Sequence, residues 1–143
     1  MRVALTGGGT GGHLTPLIAI AGILREWAAR DTLPALESGD APLELVYVGV
    51  VTATDRTALE AAGIPYRHVP SGKIRRYLQG APLTVIDLAF RLPIGVLRAL
   101  WTLFFLMPDV VFSKGGYGAV PVMLSAWVYR IPILLHETDI VPG

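Results

Sequence analysis

Five glycines fall within six positions at Gly7-Gly8-Gly9-Thr10-Gly11-Gly12, between an apolar run and a stretch of helical character. Each glycine forgoes side-chain packing and adds backbone entropy that folding must remove. Such a density therefore marks a backbone that something approaches closely, although a tight helix–strand packing turn is the plainer alternative. Upstream, Arg2 to Thr6 reads as a short buried strand. Downstream, Thr15-Pro16 reads as a helix start, with Thr15 as N-cap and Pro16 in the first helical position. Strand, glycine turn and helix N-terminus in this order constrain the chain to an α/β unit. They also make an anion site, because free N–H groups and the positive end of the helix dipole converge there.

Gly7, Gly9 and Gly12 fit GxGxxG, but the dinucleotide fingerprint also needs an acid at the end of the second strand to hold a ribose. That strand ends in Val48-Gly49-Val50-Val51-Thr52, without one. A phosphate loop of the GK[ST] type is missing too, since Ser71-Gly72-Lys73-Ile74 has no hydroxyl after the lysine.

Further along, short β-rich runs alternate with helical ones. Strands are expected at 2–6, 43–49, 66–69, 109–113 and 132–136, and helices at 15–30, 54–62, 82–107 and 119–130. This alternation predicts an α/β fold: a Rossmann-like parallel sheet with helices on both faces, in one domain of 143 residues. With strand order 3-2-1-4-5, the first and fourth strands flank the point where the winding reverses, and ligands bind at their carboxyl ends.

The fourth strand leads into a second glycine loop, Ser113-Lys114-Gly115-Gly116-Tyr117-Gly118, and the fifth into His136-Glu137-Thr138-Asp139. Three loops thus converge on one edge. Taken singly, Lys114 reads as a solvated loop lysine, Tyr117 as a core-edge cover, and His136 and Glu137 as strand-end caps.

Charge and cysteine content narrow the class. Twelve basic and eleven acidic residues give no global attraction to nucleic acid, and zero cysteines exclude disulfides and thiolate metal sites. No metal and no cofactor is expected. The N-terminus lacks a signal-peptide pattern, and no uncharged apolar run approaches the eighteen or so residues of a membrane span, so a cytosolic protein is expected. Yet 52% of the residues are hydrophobic and mean hydropathy is +0.54.

The excess sits in 82–107. Its non-apolar positions after Pro82 (Thr84, Asp87, Arg91, Gly95, Arg98 and Thr102) recur every three or four residues, within an arc of about 80°. Pro93 should kink this helix or start a second one. The sheet cannot need all of Phe90, Trp101, Phe104 and Phe105. From Pro70 to Met107, Lys73, Arg75, Arg76, Arg91 and Arg98 face a single acid, Asp87. Aromatic groups rimmed by Lys and Arg suit an anionic membrane surface on which the protein lies without crossing it. A helix sandwiched between the sheet and a neighbouring domain would look similar.

Several segments together carry a family resemblance: GGGTGGH with Leu14-Thr15-Pro16, Ser71-Gly72 with its basic followers, Pro108-Asp109-Val110-Val111, Gly115-Gly116-Tyr117, Ala126-Trp127, and Ile131-Pro132 leading to His136-Glu137. In that order, from Arg2 to Gly143, they resemble the MurG family of peptidoglycan N-acetylglucosaminyltransferases, in glycosyltransferase family 28.

The resemblance implies the N-terminal half of a GT-B, inverting enzyme. Such an enzyme transfers GlcNAc from UDP-GlcNAc to undecaprenyl-pyrophosphoryl-MurNAc-pentapeptide, turning lipid I into lipid II at the cytoplasmic face of the cell membrane. The chain would be the acceptor-binding, membrane-associating domain, incomplete at its C-terminus and inactive alone, with the C-terminal UDP-GlcNAc-binding domain missing.

By motif, Thr10, Gly11, Gly12 and Asp139 would contact the donor or diphosphate, and Gly115, Gly116, Tyr117, His136 and Glu137 the acceptor side. His13 would be the catalytic residue. A helix N-terminus disfavours imidazolium, so His13 suits a general base, and equally a hydrogen-bond donor to phosphate or sugar. The family usually carries Asn where this chain has Asp139, which adds a negative charge near phosphates. Two other readings stay open: a non-catalytic docking subunit of a split lipid-linked-sugar transferase, and a nucleotide-binding oxidoreductase-like domain.

Overall fold

In a computed structural model, residues 1–8, 14–30, 42–72 and 87–136 are described. They form a parallel sheet of five strands in the order β3-β2-β1-β4-β5. The strands are β1 (Arg2–Thr6), β2 (Glu44–Gly49), β3 (Tyr66–His68), β4 (Val110–Ser113) and β5 (Ile133–Leu135). Helix α1 (Leu14–Ala29) follows β1 and α2 (Ala53–Ala61) follows β2. A π-helical turn (Asp87–Arg91) leads into α3 (Leu92–Leu106), and a 3-10 turn (Tyr117–Ala119) into α4 (Val120–Val128). The expected strand order and element sequence are present.

Alternation along β1 builds a core on each face. Val3 and Leu5 pack with Leu14, Leu17 and Ala21 of α1, Leu59 of α2 and Tyr47 of β2. Ala4 packs on the other face with Val48, Val111, Ala99 and Leu103 of α3, and Val122 and Ala126 of α4. Apart from Leu103, the buried residues of this second core are all alanine and valine.

Local chemistry sets the element ends. Thr52 and Asp55 form a capping box at the start of α2. The guanidinium of Arg25, on α1, donates to the Ala62 and Gly63 carbonyls at the other end, at 2.7 and 2.8 Å. At the opposite edge of the sheet, Arg2 donates to Glu44 at 2.6 Å while its backbone N–H donates to Asp109.

Two expectations change. Leu14 is already helical, so Thr15 and Pro16 are the second and third residues of α1, and Thr15 is not the N-cap. Proline is tolerated there because first-turn N–H groups have no intrahelical acceptor. The expected helix over 82–107 is described from Asp87 onward, and its π turn comes immediately before Leu92-Pro93, where a ring without an N–H needs a locally different hydrogen-bond spacing.

The polar stripe on that helix does not face solvent as a whole. Gly95 is buried and Thr102 half-buried, while Arg91 and Arg98 stay exposed. The window Ala89–Leu106 is, by length and composition, apolar enough to cross a membrane, with only 17% of it buried in the protein. Arg91 and Arg98 interrupt it, which is why no uncharged run of that length exists.

Candidate functional site

β1 and β4 are neighbours, in register through Thr6↔Ser113, and each continues into a glycine loop at the same edge. The loops are stitched together. The Lys114 N–H donates to the Thr6 carbonyl at 2.9 Å, and the Gly118 N–H to the Gly8 carbonyl at 3.3 Å. A Cβ on Gly118 would stand 2.9 Å from the Gly8 carbonyl oxygen, and one on Gly7 3.0 Å from Leu17 Cδ1 and 3.2 Å from Lys114 Cβ. Backbone therefore packs on backbone, and side chains here would drive the loops apart. Gly115 and Gly116 adopt φ of 81° and 83°, which suits glycine and turns the second loop back over the first.

Tyr47, fully buried on β2, supports the first loop from below. Its hydroxyl donates to the Gly7 carbonyl at 2.6 Å and lies 3.1 Å from that of Val50. Gly8, at φ 105°, leaves room for the phenol oxygen, which a Cβ would approach to 2.8 Å. Burial, reinforced by the Asp55 carboxylate, pushes the phenol far above its ordinary pKa, so Tyr47 stays a neutral donor.

A third loop, after β3, is pinned on both sides. The Ser71 hydroxyl donates to the Tyr117 carbonyl at 2.5 Å, and the Pro70 carbonyl sits against Gly95 of α3. Movement of α3 would reach the second glycine loop through this contact. On the far side, the His136 N–H donates to the Ser113 carbonyl at 2.8 Å, tying the end of β5 to the same loop.

The predicted site residues divide accordingly. Gly115, Gly116 and Tyr117 lie in the second loop, which meets the first through Lys114 and Gly118 at the switch point. His136 arrives at the same edge, but its ring stacks on Phe112, 6.3 Å between centroids, on the α1 face of the sheet. Phe90, Trp101, Phe104 and Phe105 are 57–70% exposed, as expected of rings the sheet does not need. Thr10, Gly11, Gly12, His13, Glu137 and Asp139, with Lys73, Arg75 and Arg76, lie outside the described residues.

Lys114 differs from expectation: it is 6% exposed, not a solvated loop lysine. Its place directly between β4 and Gly115-Gly116 was the available signal. Tyr47 and Thr6 carried none, because an apolar strand hides the partner of a phenol or hydroxyl. Thr6 is fully buried, and its hydroxyl has no hydrogen-bond partner among the described residues. At the end of β2 the nearest acid, Asp55, is committed to capping α2 through Thr52, with Oδ2 2.9 Å from the Thr52 N and 2.8 Å from its hydroxyl. It is unavailable for a ribose, which weighs against the dinucleotide alternative.

A parallel 3-2-1-4-5 sheet with two interlocked glycine loops over its switch point defines a Rossmann-like ligand-binding domain. The chain belongs to the glycosyltransferase family 28 N-terminal domain family, which residues 40–143 match. It is 40% identical over 142 residues to the UDP-N-acetylglucosamine–N-acetylmuramyl-(pentapeptide) pyrophosphoryl-undecaprenol N-acetylglucosamine transferase of Lachnospira eligens, covering 99% of this chain and 35% of that protein. The crystal structure of Acinetobacter baumannii MurG superposes with a TM-score of 0.70 at 23% identity, covering 99% of this chain and 35% of the other. The Streptomyces glycosyltransferase SsfS6 superposes at 0.61 and 17% identity, over 100% and 41%. The two structures share the fold. The chain spans about a third of the length of the curated relatives it matches.

Proposed function

We propose that this chain is the acceptor-side half of an inverting hexosyltransferase that moves GlcNAc from UDP-GlcNAc to undecaprenyl-pyrophosphoryl-MurNAc-pentapeptide in peptidoglycan synthesis. The pairing of the Gly7-Gly8 and Gly115-Gly116 loops in a family 28 N-terminal domain carries the reading. Bare backbone at that edge accepts a bulky pyrophosphate-linked sugar, and Lys114 supplies positive charge between the loops. In the reaction, an acceptor hydroxyl attacks the anomeric carbon of GlcNAc from the face opposite UDP. The hydroxyl proton passes to a base and UDP departs with the bonding pair. His13 is assigned as that base, and Thr10, Gly11, Gly12 and Asp139 as contacts to donor or diphosphate. Gly115, Gly116 and Tyr117 line the acceptor side, and His136 and Glu137 support the cleft from the end of β5. The donor's UDP is held by a further half of the enzyme.

The exposed rings of α3, with the basic residues from Lys73 to Arg98, hold the domain on the cytoplasmic face of the membrane. Gly95, Ala99 and Leu103 pack α3 onto its own domain, which favours a helix lying on the bilayer over one crossing it.

The test is transfer of GlcNAc to a lipid I analogue by this chain with its UDP-sugar-binding half present. Turnover that needs both halves, and falls by orders of magnitude in His13→Ala with the fold intact, is expected. Full turnover in His13→Ala would remove the base assignment. Failure of the chain to bind the lipid I analogue, with turnover absent in both, would remove the acceptor assignment.

A further inference from the structure

Helix α3 carries its bulk away from the sheet. At about 100° per residue, Ile94, Leu97, Trp101, Phe104 and Phe105 fall within an arc of about 100°, opposite the buried Gly95, Ala99 and Leu103. Arg98 borders this arc on one flank only, the flank that carries Thr102 one turn later. There, Arg67 of β3 joins Trp101, Thr102, Phe105 and Leu106 around a cavity of about 340 Å³. Arg67 is in register with Val48, which belongs to the α3-facing core, so its side chain leaves the sheet on that same face.

Neither Arg67 nor Arg98 has an ion-pair partner among the described residues. The neighbouring His68 is held below its ordinary pKa by burial and then by the charges of Arg98 and Arg56, so positive potential is concentrated at this end of β3.

We propose that the pocket between β3 and α3 binds the phosphate of an anionic phospholipid headgroup, with Arg67 in its wall and Trp101 at the boundary between headgroup and acyl chain. Arg98, outside the lining and one turn before Trp101 and Thr102, reaches the phosphate from the rim. This rests on the peripheral-membrane reading above and makes it specific: the domain has a defined headgroup site as well as a charged rim. Charge complementarity supports a phosphate, for which arginine has the matching donor geometry. The location selects a lipid, because the pocket opens on the flank of an exposed apolar stripe, where tryptophan favours the interface. A soluble phosphate would gain nothing from that stripe.

The test uses the 143-residue chain with Trp27→Phe and Trp127→Phe, both at exposed positions, so that Trp101 alone reports. Partition is measured by sedimentation and by the shift of Trp101 emission. The vesicles are equal parts phosphatidylglycerol and phosphatidylcholine, or phosphatidylcholine alone. Arg67→Gln with Arg98→Gln is compared with Arg30→Gln and Arg130→Gln, an equal loss of charge elsewhere.

The pocket pair should weaken binding to anionic vesicles about 30-fold, roughly 5-fold per arginine, and leave phosphatidylcholine binding unchanged. The control pair should change it no more than about 3-fold. Equal losses in the two pairs would overturn the site in favour of a diffuse field. Binding of inorganic phosphate to the chain without vesicles, lost in Arg67→Gln with Arg98→Gln while anionic-vesicle binding is kept, would overturn the lipid in favour of a soluble anion. No binding to either vesicle would overturn the membrane reading and the site together.

Discussion

Glycine to alanine in a helix interior ordinarily stabilises a protein by about 0.5–1 kcal/mol, because alanine limits the unfolded chain. Helices α1 and α3 each contain one such position, and the structure assigns them opposite signs. A Cβ on Gly22 meets nothing within 4 Å, so Gly22→Ala should stabilise by about 0.5–1 kcal/mol. A Cβ on Gly95 would drive into the Pro70 carbonyl oxygen and stand 3.2 Å from Pro121 Cγ. A carbon–oxygen contact settles near 3.3 Å, so α3 or the β3 loop must retreat by on the order of an ångström.

The first obstacle is backbone and the second a rigid ring, so neither yields by changing rotamer. Overpacking of this kind costs about 1–3 kcal/mol. Subtracting the propensity gain leaves Gly95→Ala destabilised by up to about 2 kcal/mol, and because both variants share that gain they should differ by the overpacking cost, about 1–3 kcal/mol. Urea unfolding followed by circular dichroism, with unchanged slopes, measures this directly. Equal stabilisation of both variants would refute the close approach of Pro70 to α3, and with it the coupling of α3 to the second glycine loop through Ser71 and Tyr117.

Further outcomes follow from single contacts. Thr52→Ala removes the hydroxyl that accepts from the Asp55 N–H and should cost about 1 kcal/mol in the same assay; no loss would mean the capping box contributes nothing. Thr6→Val replaces a buried hydroxyl that has no partner among the described residues by a methyl and should raise stability by about 1 kcal/mol, whereas a loss of that size would show the hydroxyl to be satisfied. His68 binds a proton less readily folded than unfolded, and its Nδ1 accepts from the Val51 N–H at 3.2 Å. Its contribution is therefore present above the unfolded value near 6.5 and is lost as pH falls towards the folded pKa. The stability difference between wild type and His68→Gln should shrink from pH 7 to pH 5, and a constant difference would refute the shift.

The fold was legible because its signals are periodic and local. β-rich runs alternating with helical ones, and two glycine loops after the first and fourth runs, define a parallel sheet with its switch point between β1 and β4. The start of α1 was placed too late because Thr15-Pro16 satisfies capping statistics although Leu14 is already helical, and proline is equally at home anywhere in the first turn. What sequence could not convey is depth. Lys114, Thr6 and Tyr47 are polar groups whose burial depends on which neighbours the fold brings over them. Gly95 looked like one more member of a polar stripe, and its role appears only once the Pro70 carbonyl is seen against it. The stripe on α3 was correctly found, but periodicity alone does not say that it lies on the boundary between a buried face and an exposed apolar one.

The layer beneath α3 is closed by Gly95, Ala99 and Leu103, while the rings of Phe90, Trp101, Phe104 and Phe105 take no part in it. Foldedness and surface character are thereby governed by different residues of one helix. The outer rings can be exchanged for polar groups to make a more soluble domain, or for larger ones to strengthen adhesion, without opening a hole inside. Left as they are, they predispose the isolated chain to self-association in aqueous buffer, and a mild detergent should disperse it with no change in its melting transition.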